Sequence, residues 1–271
     1  MNNLGSLVRD ALRMPGRSSD MSDLDDPQNA VDIREIIGSK PFLRRLYEEW
    51  YSEFVKRTSS VTRGSFVEIG SGGGFLKDVM PAALTSDVID IPFCDIRLSA
   101  EALPFKSGSL GGIFMLDALH HLPNPERFFE EAVRCLMQGG KVIMIEPFDS
   151  PFGRFVYRTF HHEPFEPSAS GWGFRSEGPM SSANGALPSI IFWRDRKRFE
   201  NLFPTLRIVS VKPHTPFRYL LSGGVSMCSL VPAWTFSLFK QVERSLSPLH
   251  GYIGMFQTIE LERVPTPVGG D

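Results

Sequence analysis

The residues able to do chemistry gather first around one stretch, Phe66–Phe75, FVEIGSGGGF. Glu68 is followed at alternate positions by Gly70, Gly72 and Gly74, with Ser71 and Gly73 between them. Glycines in that density let a backbone approach a ligand closely, because no Cβ stands in the way. The spacing is not the dinucleotide fingerprint G-x-G-x-x-G, since Phe75 stands where the third glycine belongs, and this counts against an NAD-linked oxidoreductase. Further along come Asp87, Ser99-Ala100-Glu101, Asp117 and the pair His120-His121. A carboxylate can orient a hydroxyl-bearing ligand through charge-assisted hydrogen bonds. A histidine in a loop can take a proton from an acceptor's hydroxyl, and His121 is the first candidate, His120 the second. A second group, His161, His162 and Glu163, reads either as a substrate-facing lid or as plain loop. Adjacent histidines point in different directions and no i,i+4 pair occurs, so no metal site is expected. Arg154, Arg158 and Arg175 either grip an anionic acceptor or are solvated.

Strands and helices must carry these groups to one place. Phe66, Val67 and Ile69 read as a buried strand, the glycines as a tight turn, and Phe75, Leu76, Val79 and Met80 as the helix that follows. Short strands are expected at Asp87–Ile89 and Asp95–Leu98, and a stronger one at Leu110–Leu116. Asn124 with Pro125 opens a helix whose apolar face runs through Phe128, Phe129, Ala132, Val133, Leu136 and Met137 to Gly139-Gly140. Lys141–Glu146 is the next buried strand. Strand–helix–strand units of this length imply a parallel sheet with right-handed crossovers. Ligands of such sheets bind at the carboxyl ends of the strands, which places Glu68, the glycines, Asp87, Ser99, Asp117 and Glu146 along one rim. Before the glycine stretch, residues 41–56 form an amphipathic helix with Phe42, Leu46, Trp50 and Phe54 on one face. After it, Asp195–Phe203 reads as a helix, with strands at Leu206–Val211 and Met255–Val264.

At 271 residues with a net charge of −2, the chain suits one large domain and gives no general electrostatic hold on nucleic acid. Its three cysteines, Cys94, Cys135 and Cys228, form no C-x-x-C pair, so a reducing, cytoplasmic setting fits and a disulfide framework does not. Residues 1–40 read as a flexible N-terminal arm and 41–271 as the functional domain, with insertions at about 147–190 and 214–250. Residues 219–239 carry no formal charge and are long enough to cross a bilayer. Their serines, Gly-Gly and Pro232 argue against spanning. They leave core packing, or an interfacial hairpin with Trp234 and Phe236 toward lipid, as the two readings.

Taken together, Glu-x-Gly-x-Gly-x-Gly, the LPF of Leu103–Phe105, Asp117 before His120-His121-Leu122, and Gln138-Gly139-Gly140 before a strand resemble the class I S-adenosylmethionine-dependent methyltransferases, small-molecule branch. The resemblance spans roughly Phe66–Phe148. It implies an α/β, Rossmann-like, mostly parallel seven-stranded sheet with helices on both faces, an antiparallel last strand, and added insertions or a lid. It implies S-adenosyl-L-methionine as cofactor, with Gly70, Ser71, Gly72 and Gly74 against its methionine part and Glu68 beneath them. Asp87, with Asp90 as rival, takes the ribose; Ser99 and Ala100 meet the adenine; Asp117 lies near the sulfonium end. Family members often carry Asp where Ser99 stands. The expected activity is methyl transfer to a small-molecule acceptor, O-methylation being favoured, with a glycan precursor or lipid-linked molecule as a further expectation. The rival is a non-catalytic S-adenosylmethionine-binding protein of the same fold.

Overall fold

The structure, a computed structural model, describes residues 25–161, 163–176, 178 and 182–266. Asp26 caps the first helix, α1 (Pro27–Ser39), accepting a 2.8 Å hydrogen bond from the Gln28 amide, with Pro27 at the first helical position. The last part of the stretch read as a flexible arm is therefore helical, while residues 1–24 lie outside the described residues. Helix α2 (Pro41–Arg57) buries Phe42, Leu43, Leu46, Tyr47, Trp50, Tyr51 and Phe54, the apolar face expected from their spacing. Each such side chain contributes about 1.5–3 kcal/mol when fully buried.

Strand β1 (Ser65–Ile69) leads into the glycines, and β2 (Leu84–Asp87), β3 (Ile96–Arg97) and β4 (Leu110–Leu116) follow. The helix expected after the glycines is only the single 3-10 turn Leu76–Asp78. Pro81 and the nearby start of β2 leave no length for more. Helix α3 (Pro125–Cys135) is capped by Asn124, whose side chain accepts from the Arg127 amide at 3.3 Å. It stops at Cys135, short of Gly139-Gly140, because β5 (Leu136–Pro147) begins by pairing Leu136 with Leu110. Helix α4 (Pro151–Phe160) opens the first insertion, and α5 (Leu187–Ser189) and α6 (Arg196–Leu202) close it. Then come β6 (Leu206–His214), α7 (Arg218–Ser222), α8 (Phe236–Ser245), α9 (His250–Ile253) and β7 (Phe256–Arg263).

The seven strands lie in the order β3-β2-β1-β4-β5-β7-β6. Strands β1 to β5 pair in parallel, and β7 runs antiparallel between β5 and β6. The sheet order reverses between β1 and β4, which puts a ligand crevice beyond their carboxyl ends. Phe54 of α2 stacks on Phe114 of β4 at 4.9 Å, while Phe129 of α3 meets Phe199 and Phe203 at the end of α6.

Among the described residues no helix is long and apolar enough to cross a membrane. The uncharged segment 219–239 is instead broken between α7, a loop and the start of α8. Trp234 is 78% exposed, as the interfacial reading requires, but Phe236 is buried against Phe42 at 5.1 Å and is not available to lipid. The Arg218 guanidinium donates to Glu243 at 2.6 Å and to Glu49 at 2.7 Å, fixing α7 and α8 onto α2.

Candidate active site

A cavity of about 1010 Å³ opens at the sheet's switch point. Its lining includes Gly70–Gly74, Asp87, Ser99, Ala100, Asp117 and His121, so most of the residues singled out in the sequence share one space.

One end of the cavity is made largely of backbone. Gly70 and Gly72 have φ of +68° and +47°, in the left-handed region that suits glycine. A Cβ on Gly72 would meet nothing within 4 Å and would project into open space. The elbow is stitched to β2 through Ser71, whose amide donates to Ser86 O at 2.9 Å and whose Oγ accepts from the Ser86 amide at 3.1 Å. Asp87 ends β2 with its carboxylate turned back onto the elbow. Oδ2 accepts from the Gly72 amide at 2.9 Å and Oδ1 from Ile89 at 3.1 Å. Burial raises the Asp87 pKa and these amides oppose the rise. Asp90 is not among the lining residues. Ser99 and Ala100 line the same end, and Ser99 Oγ accepts from the Glu101 amide at 3.2 Å.

Glu68 lies under the elbow, fully buried, and among the described residues neither carboxylate oxygen has a partner in hydrogen-bonding geometry, though the Ser71 and Tyr51 hydroxyls are near. Burial pushes its pKa up to about 7, against a weaker pull from the Ser71 and Tyr51 hydroxyls. An orphaned buried carboxylate is costly unless a cationic or hydrogen-bonding partner arrives. Together with the open cradle at Gly72, it fits a ligand that brings an amino group to the elbow. Helices α1 and α2 press this end from outside. A Cβ on Gly73 would lie 2.5 Å from Ile33 Cγ2, and one on Gly74 would lie 2.1 Å from the Tyr51 hydroxyl. That hydroxyl accepts from the Phe75 amide at 3.3 Å, and Arg34 donates to Gly74 O. Lys40, at the start of α2, donates to Gly224 O at 2.7 Å and so ties in the loop 223–227, which also lines the cavity.

The other end is made of side chains. Asp117 follows β4 at φ +59°, anchored by its amide on Ile145 O at 2.8 Å. Desolvation raises its pKa and the neighbouring His120 opposes the rise, while 36% of its side chain stays open to solvent. Glu146, expected on the rim, is instead wholly buried. It accepts from the Ala118 and Leu119 amides at 2.9 and 2.8 Å and from His120 Nδ1 at 2.8 Å. It clamps the turn Leu119–His121. His120 is buried behind the cavity wall, whereas His121 lines it. Burial lowers the His120 pKa, but its bonds to Glu146 and Glu163 outweigh that and hold it well above the usual value. Burial, then the neighbouring His120, push His121 down to about 4.

Sequence reasoning treated His120-His121 and His161–Glu163 as separate groups. The fold unites them: Glu163 Oε2 lies 3.3 Å from His120 Nε2 and 3.7 Å from His161 Nδ1, and Oε1 lies 3.6 Å from His121 Nε2. Glu163 and His161 line the cavity; His162 lies outside the described residues. Tyr47, Tyr157, Tyr219 and the α1 residues Asn29 and Ile33 also line it without having been singled out, although Asp26-Pro27 announces the start of α1. Arg154 pairs with Asp149 at 2.7 Å instead of facing the cavity.

Residues 67–144, from β1 into β5, match a family model described as a methyltransferase domain. No curated protein matches the chain. Among solved structures it is similar to geranyl diphosphate C-methyltransferase from Streptomyces coelicolor A3(2), with 14% identity over 97% of this chain and 99% of that one and a TM-score of 0.45. It is also similar to the [4+2]-cyclase SpnF, with 11% identity over 80% and 82% and a TM-score of 0.46. A third is the YcgJ protein from Bacillus subtilis, with 13% identity over 81% and 100% and a TM-score of 0.44.

Proposed function

We propose, from the match of residues 67–144 to a methyltransferase-domain model and from the cavity those residues build, that the chain transfers a methyl group from S-adenosyl-L-methionine to a small-molecule acceptor, an oxygen being the favoured methyl acceptor. The observation that carries the proposal is the glycine elbow opening into a cavity with the orphaned carboxylate of Glu68 beneath it and Asp87 beside it. Gly70, Ser71, Gly72 and Gly74 hold the methionine part by backbone approach. Glu68 answers its amino group, Asp87 orients the ribose hydroxyls, and Ser99 and Ala100 flank the adenine. The bound cofactor supplies an already activated methyl. The acceptor atom takes the methyl carbon, the sulfur keeps the electrons of the broken bond, and S-adenosylhomocysteine leaves.

The protein's task is alignment and exclusion of water. Asp117, just past β4 and lining the cavity, would lie near the cofactor's sulfonium end. At the acceptor end, His121, with His120 and Glu163 behind it, is the group placed to handle a hydroxyl proton. Leu230, Trp234, Leu238 and Val242 leave apolar surface exposed just after the cavity-lining loop 223–227, which supports a lipid-linked acceptor and peripheral membrane contact. Incubation with radiolabelled methyl donor and a broad panel of hydroxylated small molecules and lipid extracts tests the activity. Label entering a small-molecule product is the expected result. Tight cofactor binding with no transfer to any acceptor would replace the reading with that of a non-catalytic binding protein.

A further inference from the structure

The histidine–glutamate cluster has the form of a metal site. We propose that Glu163, His120 and His121 bind one divalent transition-metal ion at the acceptor end of the cavity. The inference deepens the reading above and rests on it only for the acceptor's part: the ion would hold the acceptor and take the place of a free His121 ring in meeting its hydroxyl.

The ligand atoms come first. One ligand atom from each of His120, His121 and Glu163 lies within 4.8 Å of the others. Glu163 Oε2 lies 3.3 Å from His120 Nε2, and its other oxygen, Oε1, lies 3.6 Å from His121 Nε2, so the carboxylate faces both rings. Two ligands bonded at about 2.0–2.1 Å to one tetrahedral ion stand about 3.4 Å apart. Each imidazole–carboxylate pair is thus already close to the spacing that a shared ion imposes. Two imidazoles and one carboxylate suit zinc, iron, cobalt or nickel better than magnesium or calcium, which take oxygen ligands.

The surrounding shell supplies the second observation. Each metal-binding histidine normally donates its other ring N–H to a carboxylate or a backbone carbonyl. His120 Nδ1 donates to the wholly buried Glu146 at 2.8 Å, and His121 Nδ1 donates to Ser182 O at 3.2 Å. Both rings are therefore oriented from behind, with Nε2 turned toward Glu163. His121 Nε2 and Glu163 Oε1 face each other 3.6 Å apart, a gap that a cation between them can bridge. Three protein ligands leave a coordination position open, and His121, His161 and Glu163 all face the cavity. That position is where an oxygen- or nitrogen-bearing acceptor would be anchored.

The test is equilibrium dialysis of the full-length protein, stripped with chelator and then titrated separately with Zn²⁺ and with Co²⁺, whose visible absorption reports coordination. The expected result is one ion per wild-type chain. Glu163→Gln and His121→Ala should each weaken binding at least about 100-fold, and Glu146→Gln, which touches no ion, by about 10–100-fold. S-adenosylhomocysteine binding, measured on the same variants, should persist and shows that they are folded. No uptake by wild type, or equal uptake by Glu163→Gln, overturns the site. Metal uptake without any S-adenosylhomocysteine binding would keep the site and refute the methyltransferase reading instead.

Discussion

The two ends of the cavity are built on opposite principles. The elbow end is backbone: Gly70–Gly74 and Asp87 lie within a short span of chain and are positioned by the carboxyl ends of β1 and β2. The histidine end is side chain: residues 120, 121, 146 and 163 come from three segments and meet only because β4 and β5 are neighbours and α4 returns the chain over them. A backbone site tolerates little variation in residue type, because Gly70 and Gly72 sit at positive φ and a Cβ on Gly73 or Gly74 would collide with α1 or α2. A side-chain site can change its chemistry by substitution while the fold stays. The contrast teaches where cofactor and acceptor specificity should separate.

The sharpest way to break the contrast is at Glu146. Glu146→Ala leaves the Ala118 and Leu119 amides and His120 buried without their partner. It should cost about 3–5 kcal/mol of folding stability, read by denaturant titration. An effect under about 1 kcal/mol would mean that the turn Leu119–His121 does not depend on that clamp.

Glu68 gives the next largest effect. Its folded pKa of about 7 is above its unfolded value, so its contribution is fully present below the unfolded pKa and is lost as pH rises toward 7. The ligand-free protein should lose up to about 3 kcal/mol across that window relative to Glu68→Gln, measured as the difference between their stability–pH curves. Parallel curves would show that the carboxylate is already satisfied.

Asp87→Ala removes the acceptor of the Gly72 amide and should weaken S-adenosylhomocysteine binding by about 1–3 kcal/mol in calorimetry, with little change at the histidine end. Smallest of all, Trp234→Ser with Leu238→Ser should leave cofactor affinity unchanged while reducing co-flotation with liposomes. Undiminished flotation would detach the exposed apolar strip from membrane contact.

The elbow end was legible because its signals are local. Leu110–Leu116 forms β4 over the very residues its apolar run marked, and Asn124-Pro125 opens α3 where the cap and proline placed it. Local signals also misled. The apolar pattern after Phe75 looked helical, yet Pro81 and β2 leave room for one 3-10 turn. Leu136 and Met137 continued the helical face of α3 but belong to β5, since Leu136 pairs with Leu110. Helix α1 was lost among the polar residues before it, although Asp26-Pro27 marked its start. The histidine end was not legible as one site. Its ligand atoms are set by strand adjacency and by the path of α4, and no spacing along the chain encodes either.

The central claim is that the bare elbow receives the cofactor. Calorimetric titration of S-adenosylhomocysteine into wild type and into folded Gly72→Arg tests it most directly, because the arginine would grow into the open space beyond Gly72. The account predicts one molecule bound per wild-type chain and at least about 100-fold weaker binding by the variant. Equal affinity in both proteins, or no binding by wild type, would contradict it.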